Sequence, residues 1–598
     1  MRFAWLLLLG ALAAGALRGQ DESPDQYAGW WVQQFGVVDP EAEPLAARAA
    51  SVFTRVCAAA DRKSNRLPRL VLIRGDGDPC VVALPDGSIV LTRGGLHLCY
   101  RDVTPEQGDA CLAFLLGHEL AHLAKDDFWH RSAFMALREA PGDAESRTRL
   151  VRLLAGAGGD SAQARDGLRV KELQADAYGM LYMAMAGYDP AAVMTPGSSF
   201  FAKWAAQVTE RALFDDRTHP RPADRETFLR SQLQGVVREL DFFHFGVRLY
   251  QLGRYHDAIL FLQRFLQRFP SREVYNDLGL CHYQLAVRAL ARQDVDLAAR
   301  FRLPVRLDQA TLAERLRFRA PAAPDVRDSP AVTAHLDPAI RYLEQAVQLD
   351  PWHVPARVNL CAALVLRGRA ARALAAVEEA PPGLSADADL QVGKAVALYL
   401  YGRESGIDTG DNAVALLKAV AGRFPGRADV PYNLGTILAE RGRAASAREA
   451  WEAFLQLEPR GHYAAVVRRR LDPEAPDAAP AARKATAPPA SAAFPPGKIT
   501  PAVEKALKAL ERTAFDLGTF SGAVYRGKGV RALELDFVLE LVEGELRERM
   551  PVSRARETFG EPDAVEETPA GALWLYPAFA LETRADEVFG VVRFAGTP

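Results

Sequence analysis

Hydrophobic and polar positions follow several distinct patterns along this chain, and each predicts a different element. Leu6 to Leu17 is an apolar run behind the short basic stretch Met1-Arg2-Phe3-Ala4-Trp5 and ahead of polar Arg18-Gly19-Gln20-Asp21. That is the pattern of a signal peptide, with Ala14 and Ala16 permitting cleavage nearby. Residues 69–92 read as a short strand region. Cys111-Leu112-Ala113-Phe114-Leu115-Leu116-Gly117 has the length and character of a buried helix. Beyond residue 235 a longer period sets in. Phe242, Phe245, Gly246, Leu249, Gly253, Tyr255, Ala258, Phe265 and Pro270 mark a first helical pair. Ala339, Ala346 and Pro351 repeat part of that spacing, and Leu360, Cys361, Leu364, Gly368 and Ala373 continue it. Ala413, Val420 and Pro425 give it again, and Leu434, Gly435, Leu438, Gly442, Ala447, Phe454 and Pro459 close the series. An arginine-rich stretch, 287–330, interrupts it as an enlarged loop or a degenerate helix pair. Residues 473–498 are rich in Ala and Pro and read as a linker. Val503 to Phe515 is expected to be helical. Leu573–Tyr576, Phe579–Thr583 and Val588–Phe594 predict an antiparallel meander.

The recurring small and aromatic positions are those of tetratricopeptide repeats, about 34 residues and two helices each. A small residue lets the two helices approach, and a proline ends the second. One such hairpin cannot bury its apolar face alone, so hairpins stack into a solenoid. The fold class is therefore mainly α. The expected organisation is a signal peptide at 1–19, a helical domain with a small β region at 20–235, a repeat solenoid at 236–472, the linker at 473–498 and a small α+β domain at 499–598.

Composition narrows the function classes. The chain has 598 residues, 49% hydrophobic and 25% charged, as ordinary globular proteins do. A net charge of −2 leaves no basic surplus for phosphate, so nucleic-acid binding is not expected. After the signal segment no stretch reaches the roughly 18 apolar residues of a membrane helix. Six cysteines fit an exported protein without demanding a disulfide framework. A pair among Cys57, Cys80, Cys99 and Cys111 is compatible with an oxidising compartment, and the spacing does not choose one. Cys281 and Cys361 read as buried thiols of the repeats.

The chemistry sits at His118-Glu119-Leu120-Ala121-His122. Positions four apart share one helix face, so both imidazoles can reach one metal ion and Glu119 can reach a water on it. Neutral imidazole suits zinc, and a catalytic zinc keeps one position open. The pattern predicts one Zn2+ per chain with Glu119 as general base. A third ligand is needed, and Glu172 in Lys171-Glu172-Leu173-Gln174-Ala175-Asp176 is placed to supply it. Asp176, one turn later, can hydrogen-bond the other ring nitrogen of a zinc histidine.

His-Glu-x-x-His followed by Glu-x-x-Ala-Asp resembles the zinc peptidase family that includes the CAAX prenyl protease and the bacterial heat-shock membrane protease. Cys80–Thr92 resembles that family's strand pair ahead of the catalytic helix, although Cys80-Val81 stands where the family usually has Asn-Ala. Arg217-Thr218-His219-Pro220 with Arg225 resembles its Thr-His-Pro loop. The resemblance covers about 70–225. It implies zinc held by His118, His122 and Glu172, with His219 near the metal, either capping it or stabilising the oxyanion, and Arg225 bracing that loop. Combined with the repeats, it implies an exported endopeptidase, periplasmic or secreted by a bacterium. Its expected substrates are envelope proteins, its expected partner an outer-membrane assembly factor held by the repeats, and its membrane association at most peripheral. The rival reading is a catalytically silent chaperone or assembly scaffold.

Overall fold

The computed structural model describes residues 26–60, 67–75, 80–84, 86–124, 162–194, 200, 203, 239–307, 327–472, 495–527, 529–568, 571–584 and 586–595. It divides into two compact units, Met1–Leu240 and Asp241–Pro598. Among the described residues no helix is long and apolar enough to cross a membrane.

The first unit is built around a helix whose central turns are wholly buried. Its described elements are α1 (Gln26–Phe35), α2 (Ala46–Ala59), β1 (Arg69–Ile73), β2 (Val81–Ala83), β3 (Ser88–Thr92), α3 (Arg93–Cys99), α4 (Pro105–Ala124) and α5 (Ala162–Met185). The strands form a sheet in the order β1-β3-β2, with β1 parallel and β2 antiparallel to β3. A reciprocal capping box starts α4: Gln107 N–H donates to Thr104 Oγ1 at 3.3 Å, and Thr104 N–H to Gln107 Oε1 at 3.1 Å. From Ala110 to His122 every residue of α4 is buried, as a helix apolar on all sides requires. Helix α2 is pinned to it by a bidentate pair, Arg48 to Asp109 at 2.6 and 2.8 Å.

The second unit joins the solenoid and the C-terminal domain. After a helix described over 239–251 come α6 (Tyr255–Leu266), α7 (Arg272–Gln293), α8 (Val295–Ala298), α9 (Pro330–Leu349), α10 (Val354–Leu366), α11 (Ala370–Glu378), α12 (Ala388–Ser405), α13 (Gly410–Arg423), α14 (Asp429–Glu440), α15 (Ala444–Leu457) and α16 (His462–Leu471). The recurring glycines do two jobs. Gly253, Gly368 and Gly442 adopt left-handed turns between paired helices, with φ of 76°, 72° and 76°. Gly246, Gly279 and Gly435 are contact points instead: a Cβ there would meet Leu262, Leu343 and Trp451 at 2.8, 2.6 and 2.4 Å. Pro270, Pro351, Pro425 and Pro459 each follow a helix end, as expected.

The C-terminal domain departs from the sequence reading in two respects: Gly497–Lys498, inside the expected linker 473–498, pairs into the sheet as a strand, and the helix expected over Val503–Phe515 is cut short. Helix α17 (Pro501–Leu507) is short, and Glu511–Asp516, expected to continue it, is strand β5. Local propensity in Lys505–Arg512 favours helix, but Phe515 packs edge-on against Phe242 and Phe261, with ring centroids 5.4 and 5.5 Å apart. Tertiary contact overrides propensity here. The predicted meander exists as β10 (Gly571–Leu575), β11 (Phe579–Arg584) and β12 (Glu587–Phe594). It belongs to a larger sheet with β4 (Gly497–Lys498), β6 (Ser521–Gly527), β7 (Val530–Leu535), β8 (Val538–Pro551) and β9 (Ala564–Thr568), while α18 (Val552–Phe559) follows β8. The order is β5-β6-β7-β8-β12-β11-β10-β9, with β4 beside β8.

This sheet docks on the first helical pair of the solenoid. Arg248 reaches Glu543 at 2.7 Å and Glu582 at 2.6 Å, His244 shares Glu543 at 2.7 Å, and Arg254 reaches Glu540 at 2.7 Å. Burial alone would raise the Glu543 carboxyl, but His244 and Arg248 hold it well below the usual carboxylate range.

Candidate metal centre

Helix α4 carries His118, Glu119 and His122, all three buried. The two imidazoles cross nearly at right angles with centroids 4.8 Å apart. Their Nε2 atoms face each other at 3.1 Å. On the far side of the first ring, His118 Nδ1 lies 2.9 Å from Asp176 Oδ1, and Asp176 is fully buried. A carboxylate there holds the ring proton on Nδ1 and leaves Nε2 a bare lone pair. Two nitrogens bound to one tetrahedral zinc at about 2.0–2.1 Å stand roughly 3.3 Å apart. The observed 3.1 Å separation is close to that value and equally within reach of a direct hydrogen bond between the two rings.

What brings Asp176 to His118 is a crossing of two glycines. A Cβ on Gly179 of α5 would stand 2.9 Å from His118 N, and one on Gly117 of α4 would stand 3.0 Å from Gly179 O. Only hydrogen at both positions lets α4 and α5 approach this closely. Glu119 is oriented from the other side, where the Ala83 N–H on edge strand β2 donates to its Oε2 at 2.8 Å. The sequence points to a bond between Asp176 and a motif histidine, but neither to the glycine crossing nor to the Ala83 contact. Gly117 and Gly179 beside the motifs were the available signal for the crossing, and nothing pointed to Ala83.

The remaining expected residues stand as follows. Glu172 lies on α5, one turn before Asp176, and its side chain is outside the described ones. His219 and Arg225 lie outside the described residues, as does the signal segment 1–19. Among the described residues no group of three His, Cys, Asp or Glu side chains comes together as a metal site. The six cysteines are buried and form no disulfide, so the pair allowed in the catalytic half is not made. Burial pushes the Cys111 thiol up to about 12 and Cys99 well above the usual thiol range, so both stay protonated at neutral pH. Cys80, where the resembling family has Asn, is buried and donates its backbone N–H to Thr92 Oγ1 at 2.9 Å.

Residues 45–233 match the sequence model of peptidase family M48. The M48 domain thus contains α4, α5 and the pair His118–Asp176. A tetratricopeptide repeat model matches residues 335–397 in the solenoid. No curated protein sequence matches the chain. Among solved structures, MamA 41-end from Desulfovibrio magneticus RS-1 is 13% identical, with 37% of this chain and 95% of that one covered and a TM-score of 0.25. A thermophilic TPR protein in Thermus thermophilus, TTC0263, is 18% identical, with coverages of 39% and 96% and a TM-score of 0.27. The two matches support a metallopeptidase domain joined to protein-interaction repeats.

Proposed function

We propose that the chain is a zinc-dependent endopeptidase exported to the bacterial envelope, where its repeats recruit protein substrates or partners. The observation that carries the reading is the pair of Nε2 atoms 3.1 Å apart, one of them backed through Nδ1 by buried Asp176. With its proton held on Nδ1, His118 directs an Nε2 lone pair toward His122, and a cation between the rings would suit both nitrogens. His118 and His122 would hold zinc through Nε2, and Glu172 would complete the set. Bound zinc supplies Lewis acidity toward a peptide carbonyl and acidifies water. Glu119, held at Oε2 by Ala83 N–H, takes the proton of the attacking water and returns it to the leaving amine. His219 covers the metal at rest or donates to the oxyanion, and Arg225 braces its loop.

The union of this site with repeats resembles the periplasmic β-barrel assembly-enhancing protease. Outer-membrane protein quality control, with misfolded or stalled outer-membrane proteins as substrates, is the role this resemblance supports. A silent scaffold is the lesser reading, because the two histidines, Glu119 and Asp176 keep an arrangement that scaffolding does not need. Elemental analysis tests the proposal. The purified protein should carry about one zinc per chain, and His122→Ala should lose it. Unchanged zinc in that variant would remove the site.

A further inference from the structure

The arginine-rich interruption of the repeats crosses the solenoid as an extended strap. From Ala299 to Leu307 the pattern nearly alternates: Ala299, Phe301, Leu303, Val305 and Leu307 are buried, Arg300, Arg302 and Arg306 are half-buried between them, and buried Pro304 is the one break. That is the period of an extended chain with one apolar edge. It pairs with no described strand of either sheet. Instead, asparagine side chains from α7, α10 and α14 grip its backbone.

The grip is bidentate at two residues. Arg302 N–H donates to Asn433 Oδ1 at 2.8 Å, and Asn433 Nδ2 donates to Arg302 O at 2.7 Å. Arg306 N–H donates to Asn359 Oδ1 at 2.8 Å, and Asn359 Nδ2 donates to Arg306 O at 2.7 Å. Asn276 adds a bond to Leu307 O at 2.9 Å. Asn359 and Asn433 occupy the same offset in their repeats, one residue before Leu360 and Leu434. All three asparagines are buried. A pair of amide contacts to one residue's N–H and C=O reads backbone, not side chain, so this groove accepts any extended segment of suitable chemistry.

The acids beside the groove state that chemistry. Arg300 binds Glu440 at 2.9 and 2.8 Å, Arg302 binds Glu458 at 2.7 Å, and Arg306 pairs with Asp389 and lies 3.3 Å from Asp387. Arg302 also lies over the Tyr463 ring at 4.9 Å. Leu303 and Val305 also line a small open pocket of about 40 Å³, together with Tyr283, Gln284, Arg300 and Arg327.

We propose that this groove is a recognition site for extended polypeptide segments alternating apolar and arginine or lysine residues, and that Ala299–Leu307 occupies it in cis until such a segment displaces it. The proposal rests on reading the repeats as the partner-binding part of the peptidase. Its test uses binding alone, so a failed zinc assignment would leave the result intact. The probe is a fluorescent peptide of sequence Ala-Arg-Phe-Arg-Leu-Pro-Val-Arg-Leu. The tethered strap competes at an effective concentration in the millimolar range, so the wild-type chain should bind the probe weakly. The full chain carrying Arg302→Glu and Arg306→Glu should bind it at least tenfold more tightly. Adding Asn359→Ala and Asn433→Ala should return affinity to the wild-type level. A cooperatively folding charge-reversed variant with no gain would overturn the proposal. Hydrogen exchange on the wild-type chain decides independently of variant folding. A displaceable strap exchanges the Arg302 and Arg306 amides at least tenfold faster than the central amides of α10 and α14. Equal protection would make the strap a permanent part of the core and overturn the proposal as well.

Discussion

Gly179→Ala probes how two helices deliver His118 to Asp176. The added Cβ would stand 2.9 Å from His118 N, 3.1 Å from Phe114 O and 3.2 Å from His118 Cα. All three are backbone atoms of α4, so none can rotate aside. Overpacking of this kind costs about 1–3 kcal/mol. Against it, alanine gains about 0.8–1 kcal/mol over glycine inside a helix. The net expectation is a loss of up to about 2 kcal/mol. In a unit of roughly 200 residues each kcal/mol moves Tm by about 2–4 °C, so Tm should fall by up to about 8 °C. Gly29→Ala on α1 is the control: its Cβ meets no described atom within 4 Å, and Tm should rise. The clash should also lengthen the 2.9 Å contact between His118 and Asp176 and weaken metal binding. Thermal unfolding and chelator competition read the two effects. A Gly179→Ala protein with Tm at or above wild type and unchanged metal affinity would refute the crossing as the device that builds the site.

Asp176→Ala should weaken metal binding by about 10–100-fold without abolishing it, because it removes the partner that fixes the His118 ring; equal affinity in a chelator titration would return Asp176 to a packing role. The second unit should lose stability as pH falls. Burial, with His335 and His256 beside it, holds His282 down to about 4, below its ordinary value near 6.5. The unfolded chain therefore takes up that proton first, and stability drops between about pH 6.5 and 4. His282→Gln should flatten part of that slope in pH-resolved thermal unfolding, leaving the share due to His244, His335 and His462, whose values are also lowered. An identical slope in the variant would contradict the assignment.

What was legible in the sequence follows from how local each signal is. His118 and His122 share a helix face because of their spacing alone, and α4 could be recognised from its unbroken apolar run. The glycines and prolines of the repeats recur because each hairpin needs the same turn and the same end. Strand β5 was not legible, since Phe515 becomes strand by packing on Phe242 and Phe261, far earlier in the chain. The strap was visible only as an interruption. Its extended course depends on asparagines from helices before and after it, and no period links those residues to Arg302 and Arg306. The Ala83 contact to Glu119 was equally hidden, because a backbone N–H carries no sequence signature.

The central claim is that Glu119 acts as general base beside a metal held by His118 and His122. Glu119→Gln keeps the side chain's shape but cannot accept a proton. Zinc content and denatured-casein cleavage should be measured together on this variant and on wild type. The account predicts about one zinc per chain in both, with cleavage reduced by about 10²–10⁴-fold in the variant. Near wild-type cleavage by a zinc-loaded Glu119→Gln protein would contradict it.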